Sequence, residues 1–217
     1  MGSQGQNISN PAGFSVAAFC GAHKGSSPEF VEAARSLATA LHRQGWSLVY
    51  GGGTVGMMGE VSKTLVGLSG PQAVHGIIPK QLLGVERKRN PCSSDEDARE
   101  QAYGTLTIVD DMHTRKRMMI ELADAFVALP GGFGTMEEVL ETTTWNILGM
   151  HAKPIIFLNV GGYYDDIFQW IRKAIDHGFV EARNADIIAE AKTAEEVIQA
   201  IKDHRVAESR HESGVRS

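Results

Sequence analysis

FVALPGGFGTMEEVLE, residues 126–141, runs apolar, breaks at a proline and three glycines, and restarts as a helix carrying two adjacent glutamates. An uninterrupted apolar run that stops at such a turn is the pattern of a parallel strand buried on both faces and feeding a helix. The same pattern recurs in FSVAAFCG (14–21), SLVYGG (47–52), AVHGIIP (73–79), TLTIVD (105–110), AFVALPG (125–131) and PIIFLNV (154–160), and DIIAEA (186–191) offers a seventh strand. Helical patterns lie between these runs. In PEFVEAARSLATALHRQG, Phe30, Ala34, Leu37 and Leu41 recur at helical spacing, with Pro28 at the start and Gly45 past the end. Alternation of this kind along the whole chain predicts an α/β fold, a doubly wound parallel sheet of six to seven strands with helices on both faces.

Composition fits one core of ordinary size. The chain has 217 residues, 42% hydrophobic and 22% charged, as in soluble globular proteins. We read 14–205 as a single domain without linker or internal repeat, and 1–13 and 206–217 as disordered ends. A net charge of −5 argues against a partner of nucleic acid but leaves room for a small anionic ligand. Cys20 and Cys92 form neither a metal spacing nor a disulfide framework, and no side-chain cluster suggests a metal or a cofactor. No apolar run approaches ~18 residues, so no membrane span is expected. The first residues lack a signal-peptide pattern, and Gln6 stands where a myristoylation motif has Ser or Thr. A cytoplasmic protein is the expectation.

In a doubly wound sheet, ligands bind beyond the carboxyl ends of the strands, so each strand-to-helix turn bears on function. The second turn, YGGGTVGMMG, matches G-x-G-x-x-G at Gly51, Gly53 and Gly56. The next strand carries no acid for a dinucleotide ribose, since none precedes Glu86, and NAD binding is disfavoured. A close-approach turn at a helix N-terminus remains, which suits either a phosphate or ribose or else tight turning and helix–sheet packing. The fifth turn is the opening stretch. Gly131, Gly132 and Gly134 again permit close approach, and no Gly-Lys-Ser/Thr follows to make a P-loop. Thr135 and Glu138 have capping-box spacing, so Glu138 is either a cap or a functional carboxylate. On this helix Met136, Val139, Leu140, Thr143 and Ile147 form one apolar stripe, expected to face the core. Glu138, Thr142 and Trp145 fall on the opposite face, which a ligand, another element or a second subunit would cover.

The fourth turn, DDMHTRKRMMIELAD, sets Arg115 on the apolar face with Met118, Met119 and Leu122. An inward guanidinium needs an anionic partner, whether ligand or structural carboxylate. Lys116 reads as a solvated or phosphate-facing charge. In the first turn His23 and Ser26 are weaker candidates for the same cleft, and helix capping is the preferred role for Ser26 and Ser27. The tyrosines of GGYYDD read as packing residues. Residues 80–104 form the one long irregular segment, charged and turn-rich.

Together, MHTRK and LPGGFGTMEEVLE resemble the M-H-x-R-K and P-G-G-x-G-T-x-x-E signatures of the LOG (Lonely Guy) family, phosphoribohydrolases often mislabelled as lysine decarboxylases. The resemblance runs from about Phe14 to Val180. It implies a Rossmann-like fold, a homodimer, and cleavage of the N-glycosidic bond of an adenosine-type 5′-monophosphate to free base and ribose 5-phosphate. It also implies Arg115 and Glu138 as catalytic residues, with Gly51, Gly52, Gly53, Thr54, Lys116, Gly131, Gly132, Gly134 and Thr135 holding the substrate phosphate. Glu137 occupies a variable motif position beside them. The decarboxylase label requires a cofactor-linked lysine, which no lysine context nominates. The alternative is a nucleotide-binding sensor or carrier without catalysis, which would need phosphate donors but no carboxylate beside the ribose.

Overall fold

The computed structural model describes residues 13–90 and 95–204, so Cys92 and both terminal segments lie outside the described residues. Seven strands form one parallel sheet: β1 (Ser15–Phe19), β2 (Ser47–Tyr50), β3 (Val74–Pro79), β4 (Thr105–Val109), β5 (Ala125–Ala128), β6 (Ile155–Leu158) and β7 (Ile188–Ala191). Their order is β4-β3-β2-β1-β5-β6-β7, with β1 paired in register to β2 (Val16 beside Leu48) and to β5 (Ala17 beside Phe126). The direction of winding reverses between β1 and β5, the switch point at which such sheets open a crevice.

Among the described residues eight α-helices cover the sheet: α1 (Pro28–Gln44), α2 (Gly56–Ser69), α3 (Lys80–Arg89), α4 (Glu96–Tyr103), α5 (Met112–Leu122), α6 (Phe133–Ile147), α7 (Asp165–Asp176) and α8 (Ala194–Asp203). Strand alternation divides the core in two. Val16 and Ala18 join Leu37 and Leu41 of α1, Val61 and Leu65 of α2 and Val197 of α8 on one face. Ala17 and Phe19 join Met119 of α5, Val139 of α6 and Tyr164 on the other. Each fully buried leucine or isoleucine contributes roughly 1.5–3 kcal/mol, so both layers are needed to offset chain entropy. Helix α1 is delimited as its sequence implies, with Ser27 accepting the Glu29 N–H at 3.3 Å and Gly45 in the left-handed region at φ 67°. No described helix is long and apolar enough to cross a membrane.

Three expectations are corrected. Residues 80–104 are not one irregular segment, because α3 and α4 occupy most of it. Its charge disguised the helices, since two of those charges are buried as hydrogen-bond partners of the β2 turn. Glu86 accepts the Thr54 N–H at 3.0 Å, and Arg99 donates to the carbonyls of Gly104 and Gly52 at 3.0 and 3.3 Å. Second, β4 is not buried on both faces: it is an edge strand, and Ile108 is exposed. Third, α6 buries a mostly polar face. Thr135, Glu138, Val139, Thr142 and Asn146 are buried, whereas Leu140 and Ile147 of the apolar stripe are 38% and 45% exposed. The polar face is tolerated inside because its groups are paired, Thr142 Oγ1 donating to the Glu138 carbonyl at 2.7 Å and Asn146 Nδ2 to the Lys153 carbonyl at 3.2 Å. Trp145, expected opposite the core, packs against it.

Candidate active site at the sheet switch point

A cavity of about 480 Å³ opens between the β1 and β5 turns. The two turns are tied together by the Gly21 N–H, which donates to the Pro130 carbonyl at 3.1 Å. From the β1 turn come Cys20, Gly21, His23 and Lys24, and from the β5 turn Gly131, Gly132, Gly134 and Thr135. Helix α5 supplies Met112 and Arg115, α6 supplies Glu137 and Glu138, and Met57, Met58 and Leu82 add apolar wall.

Arg115 and Glu138 meet here. Nη2 of Arg115 lies 2.9 Å from Oε1 of Glu138, and each side chain is only 9% exposed. Burial pushes the Glu138 carboxyl above the ordinary glutamate range, while the Arg115 charge pulls in the opposite direction. The guanidinium has donors to spare: Nη1 reaches only the Met112 sulfur, at 3.6 Å, and the buried Nε–H has no hydrogen-bond partner among the described residues. A buried cation with open donors lining a cavity is a site for an anion or an electron-rich oxygen.

Helix α6 begins at Phe133 with Gly132 as N-cap and no side-chain cap. Thr135 therefore sits in the third helical position and not at the cap, which removes the capping-box reading of Glu138. The first-turn N–H groups point along the helix axis, the arrangement found at helix ends that bind anions. The three glycines differ in what surrounds them. A Cβ on Gly131 would lie 2.1 Å from Thr135 Oγ1 and 2.9 Å from the Gly21 nitrogen, so Gly131 serves the packing of the turn. At Gly132 and Gly134 a Cβ would meet nothing within 4 Å, so these two leave space beside the cavity.

The other glycine loop is placed differently. Gly51, Gly52, Gly53 and Thr54 are outside the cavity lining. Gly51 packs against Arg115, where an added Cβ would fall 2.1 Å from Nη2, and Gly53 packs against Met58. Gly56, at φ 64°, approaches the Ala22 backbone so closely that a Cβ would lie 2.3 Å from its carbonyl carbon. The Gly21 carbonyl takes the Met57 N–H at 3.0 Å, and Glu86 takes both the N–H and the hydroxyl of Thr54. The close approach made by this loop is thus to the β1 turn.

Lys116 is neither solvated nor a cavity wall. Its side chain is 8% exposed, and its ammonium pairs with Glu137 and, at 3.0 Å, with Glu141 of α6. Ser26 is exposed and away from the cavity, Ser27 caps α1, and His23 lies at the exposed rim. Sequence reasoning missed three residues. Cys20 lies buried in the cavity wall, its thiol pushed well above the ordinary range by burial and by Glu138. Tyr163 donates from its hydroxyl to the Gly131 carbonyl at 2.6 Å and stacks edge-on with Phe30, fixing the glycine turn. Glu141 joins Lys116, and its spacing of four from Glu137 was the available signal, placing both carboxylates on one face of α6.

A family model described as "Possible lysine decarboxylase" matches residues 58–201. The cytokinin riboside 5′-monophosphate phosphoribohydrolase LOG7 of Arabidopsis thaliana is 40% identical over 189 residues, spanning 87% of this chain and 81% of the relative. The "Probable cytokinin riboside 5′-monophosphate phosphoribohydrolase LOGL1" of Oryza sativa is 41% identical over 189 residues, spanning 87% of this chain and 79% of the relative. A "Bifunctional cytokinin biosynthesis protein" of Fusarium pseudograminearum is 42% identical over 200 residues, but this chain spans only 41% of its length. Among solved structures, the molybdenum cofactor binding protein of Rippkaea orientalis superposes with a TM-score of 0.61 over 88% of this chain and 97% of that one, at 20% identity, which speaks for the fold alone. With the paired motifs brought to one cavity and identity near 40% along most of its length, this chain belongs to the LOG family.

Proposed function

We propose that this protein hydrolyses the N-glycosidic bond of cytokinin riboside 5′-monophosphates, with plain AMP as a further substrate, releasing the adenine-type base and ribose 5-phosphate. The observation that carries the reading is a buried carboxylate, Glu138, paired with a buried guanidinium, Arg115, in the wall of the switch-point cavity. A nucleotide carrier has use for the open amides of α6 but not for a carboxylate held inside at an energetic cost.

In the reaction, water adds its oxygen to the anomeric carbon, the bond to the base nitrogen breaks, and one water proton ends on the departing base. The sugar passes through a cationic, oxocarbenium-like state. An ionised Glu138 faces that charge and holds the ribose hydroxyls, while Arg115 fixes the carboxylate and turns its remaining donors toward the phosphate or the leaving base. The first turn of α6, with Gly132, Gly134 and Thr135, receives the phosphate. Each such electrostatic contribution is worth ~3–4 kcal/mol in the barrier. The decarboxylase description finds no support among the lysines. Lys24 pairs with Glu60 at 2.7 Å and Lys116 is engaged by two glutamates, so neither presents a free amine to the cavity.

The same proposal includes a cytoplasmic homodimer. Leu140, Ile147, Leu148 and Met150 leave an apolar surface along the outer side and end of α6, and a second copy would cover it. Incubation of the purified protein with isopentenyladenosine 5′-monophosphate and with AMP, followed by detection of free base and ribose 5-phosphate, tests the activity. Tight nucleotide binding without release of base from either would replace hydrolysis by a carrier role.

A further inference from the structure

Two ion pairs join the same two helices side by side. Arg115 and Lys116 are consecutive on α5; Glu138 takes the first, and Glu137 and Glu141 take the second. The two pairs differ in position. Arg115 and Glu138 line the cavity, whereas Lys116 and Glu141 do not. Lys116 is nonetheless only 8% exposed, and Glu141 is 24% exposed. Burial alone would lower the lysine pKa, but the hydrogen bond to Glu137 and the ion pair with Glu141 outweigh it, and the net shift is upward, so the ammonium stays charged where it sits. Glu137 and Glu141 are one helical turn apart. An ammonium shared between them therefore fixes both the rotation of α6 about its axis and its distance from α5. Rotating α6 by one residue, ~100°, would carry Glu138 out of reach of Arg115.

We infer that Lys116 is a positioning residue: clamped between Glu137 and Glu141, it sets the register of α6 against α5 that places Glu138 on Arg115. This rests on the hydrolase reading for its kinetic consequences but not for its geometry. It also removes Lys116 from the phosphate-binding set. Lys116 acts through Glu138, and its positive charge additionally favours the ionised carboxylate.

Steady-state kinetics on the nucleotide substrate, with Lys116→Met, Lys116→Arg and Glu141→Gln, test the clamp. Lys116→Met is expected to lower kcat about 100-fold with KM within about threefold, since a misplaced catalytic group costs the chemical step. Its acid limb in the pH–rate profile moves upward, because a charge favouring ionised Glu138 is gone. Lys116→Arg recovers at least about tenfold of the loss, and Glu141→Gln, remote from the substrate, lowers kcat about fivefold at unchanged KM. A raised KM at constant kcat, or a lost preference for the monophosphate over the free nucleoside, would put Lys116 on the phosphate and overturn the inference. A second readout is independent of catalysis: the coupling between Arg115→Met and Glu138→Gln, taken from unfolding midpoints, shrinks by at least about half when Lys116→Met or Glu141→Gln is added. Unchanged coupling overturns the clamp even for an inactive wild type, whereas absence of wild-type hydrolysis refutes only the function. Should Lys116→Met fail to fold, Glu141→Gln decides alone, and unchanged kcat together with unchanged coupling overturns the inference.

Discussion

Arg115 Nη2 and Glu138 Oε1 stand 2.9 Å apart in the cavity wall, two buried opposite charges contributed by helices that follow different strands. Such a pair is costly to bury, and a hydrophobic replacement of both partners is often neutral or stabilising. Its presence beside unfilled donors therefore points to function more than to stability. Arg115→Ala and Glu138→Ala are each expected to lower kcat/KM at least ~100-fold while the fold persists, measured by base release alongside circular dichroism. Near-wild-type turnover in Glu138→Ala would remove the carboxylate from the mechanism.

The pH dependence follows from the upward shift at Glu138. In the proposed mechanism hydrolysis uses the ionised carboxylate, so the acid limb of kcat/KM should lie above the pKa of an ordinary glutamate. The sign for stability is the reverse. The native state holds this proton more tightly than the unfolded chain, so the contribution of Glu138 to stability is present below the ordinary glutamate pKa. It is lost as pH rises through the raised value. Glu138→Gln should flatten that part of the stability–pH curve, read as unfolding midpoints across the acid range.

The glycines separate into two classes by what an added methyl would touch. Gly134→Ala meets open space in a helical first turn and should leave stability unchanged or improve it by up to ~1 kcal/mol, while raising KM for the nucleotide. Gly56→Ala combines φ 64° with a backbone clash at Ala22 and should destabilise the fold by more than ~1 kcal/mol. Thermal unfolding and KM determined on the same two variants distinguish ligand space from packing space.

The proposed dimer has its own variant. Ile147→Glu places a charge among the exposed apolar residues of α6 without touching the cavity. It should convert the dimer to monomer in sedimentation or light scattering. A monomeric wild type, or an unaffected dimer in the variant, would remove this face from the interface.

His151 anchors the chain leaving α6. One ring nitrogen, Nε2, lies 3.0 Å from the Thr142 carbonyl, and Nδ1 lies 3.2 Å from the Lys153 N–H, which fits a neutral ring donating from the first and accepting at the second. Burial lowers its pKa. The unfolded chain therefore binds the proton more readily, and stability falls as pH drops through the ordinary imidazole range. His151→Gln should remove part of that acid sensitivity in unfolding experiments.

The positions of the strands were legible in the sequence because strands buried on both faces leave continuous apolar runs, although β4 and β7 at the sheet edges are only partly buried. The turns FCGAHKG and LPGGFGT marked where the cavity opens because glycine and proline interrupt those runs at fixed places. The inward direction of Arg115 could be read from its spacing to Met118, Met119 and Leu122. The rest depended on partners distant in sequence. Burial of Thr135, Glu138 and Thr142 in place of Leu140 and Ile147 contradicts hydrophobic periodicity; Arg115 of α5 meets the Glu138 carboxylate, and the Thr142 hydroxyl is satisfied by the Glu138 carbonyl. Likewise the glycines at 51–56 have a ligand-binding spacing, yet the Gly21 carbonyl and Glu86 engage the polar groups of their turn. A periodic pattern records which side chains avoid water. Whether a polar one is buried with a partner or turned to a ligand was decided by the packing of elements far apart in the chain.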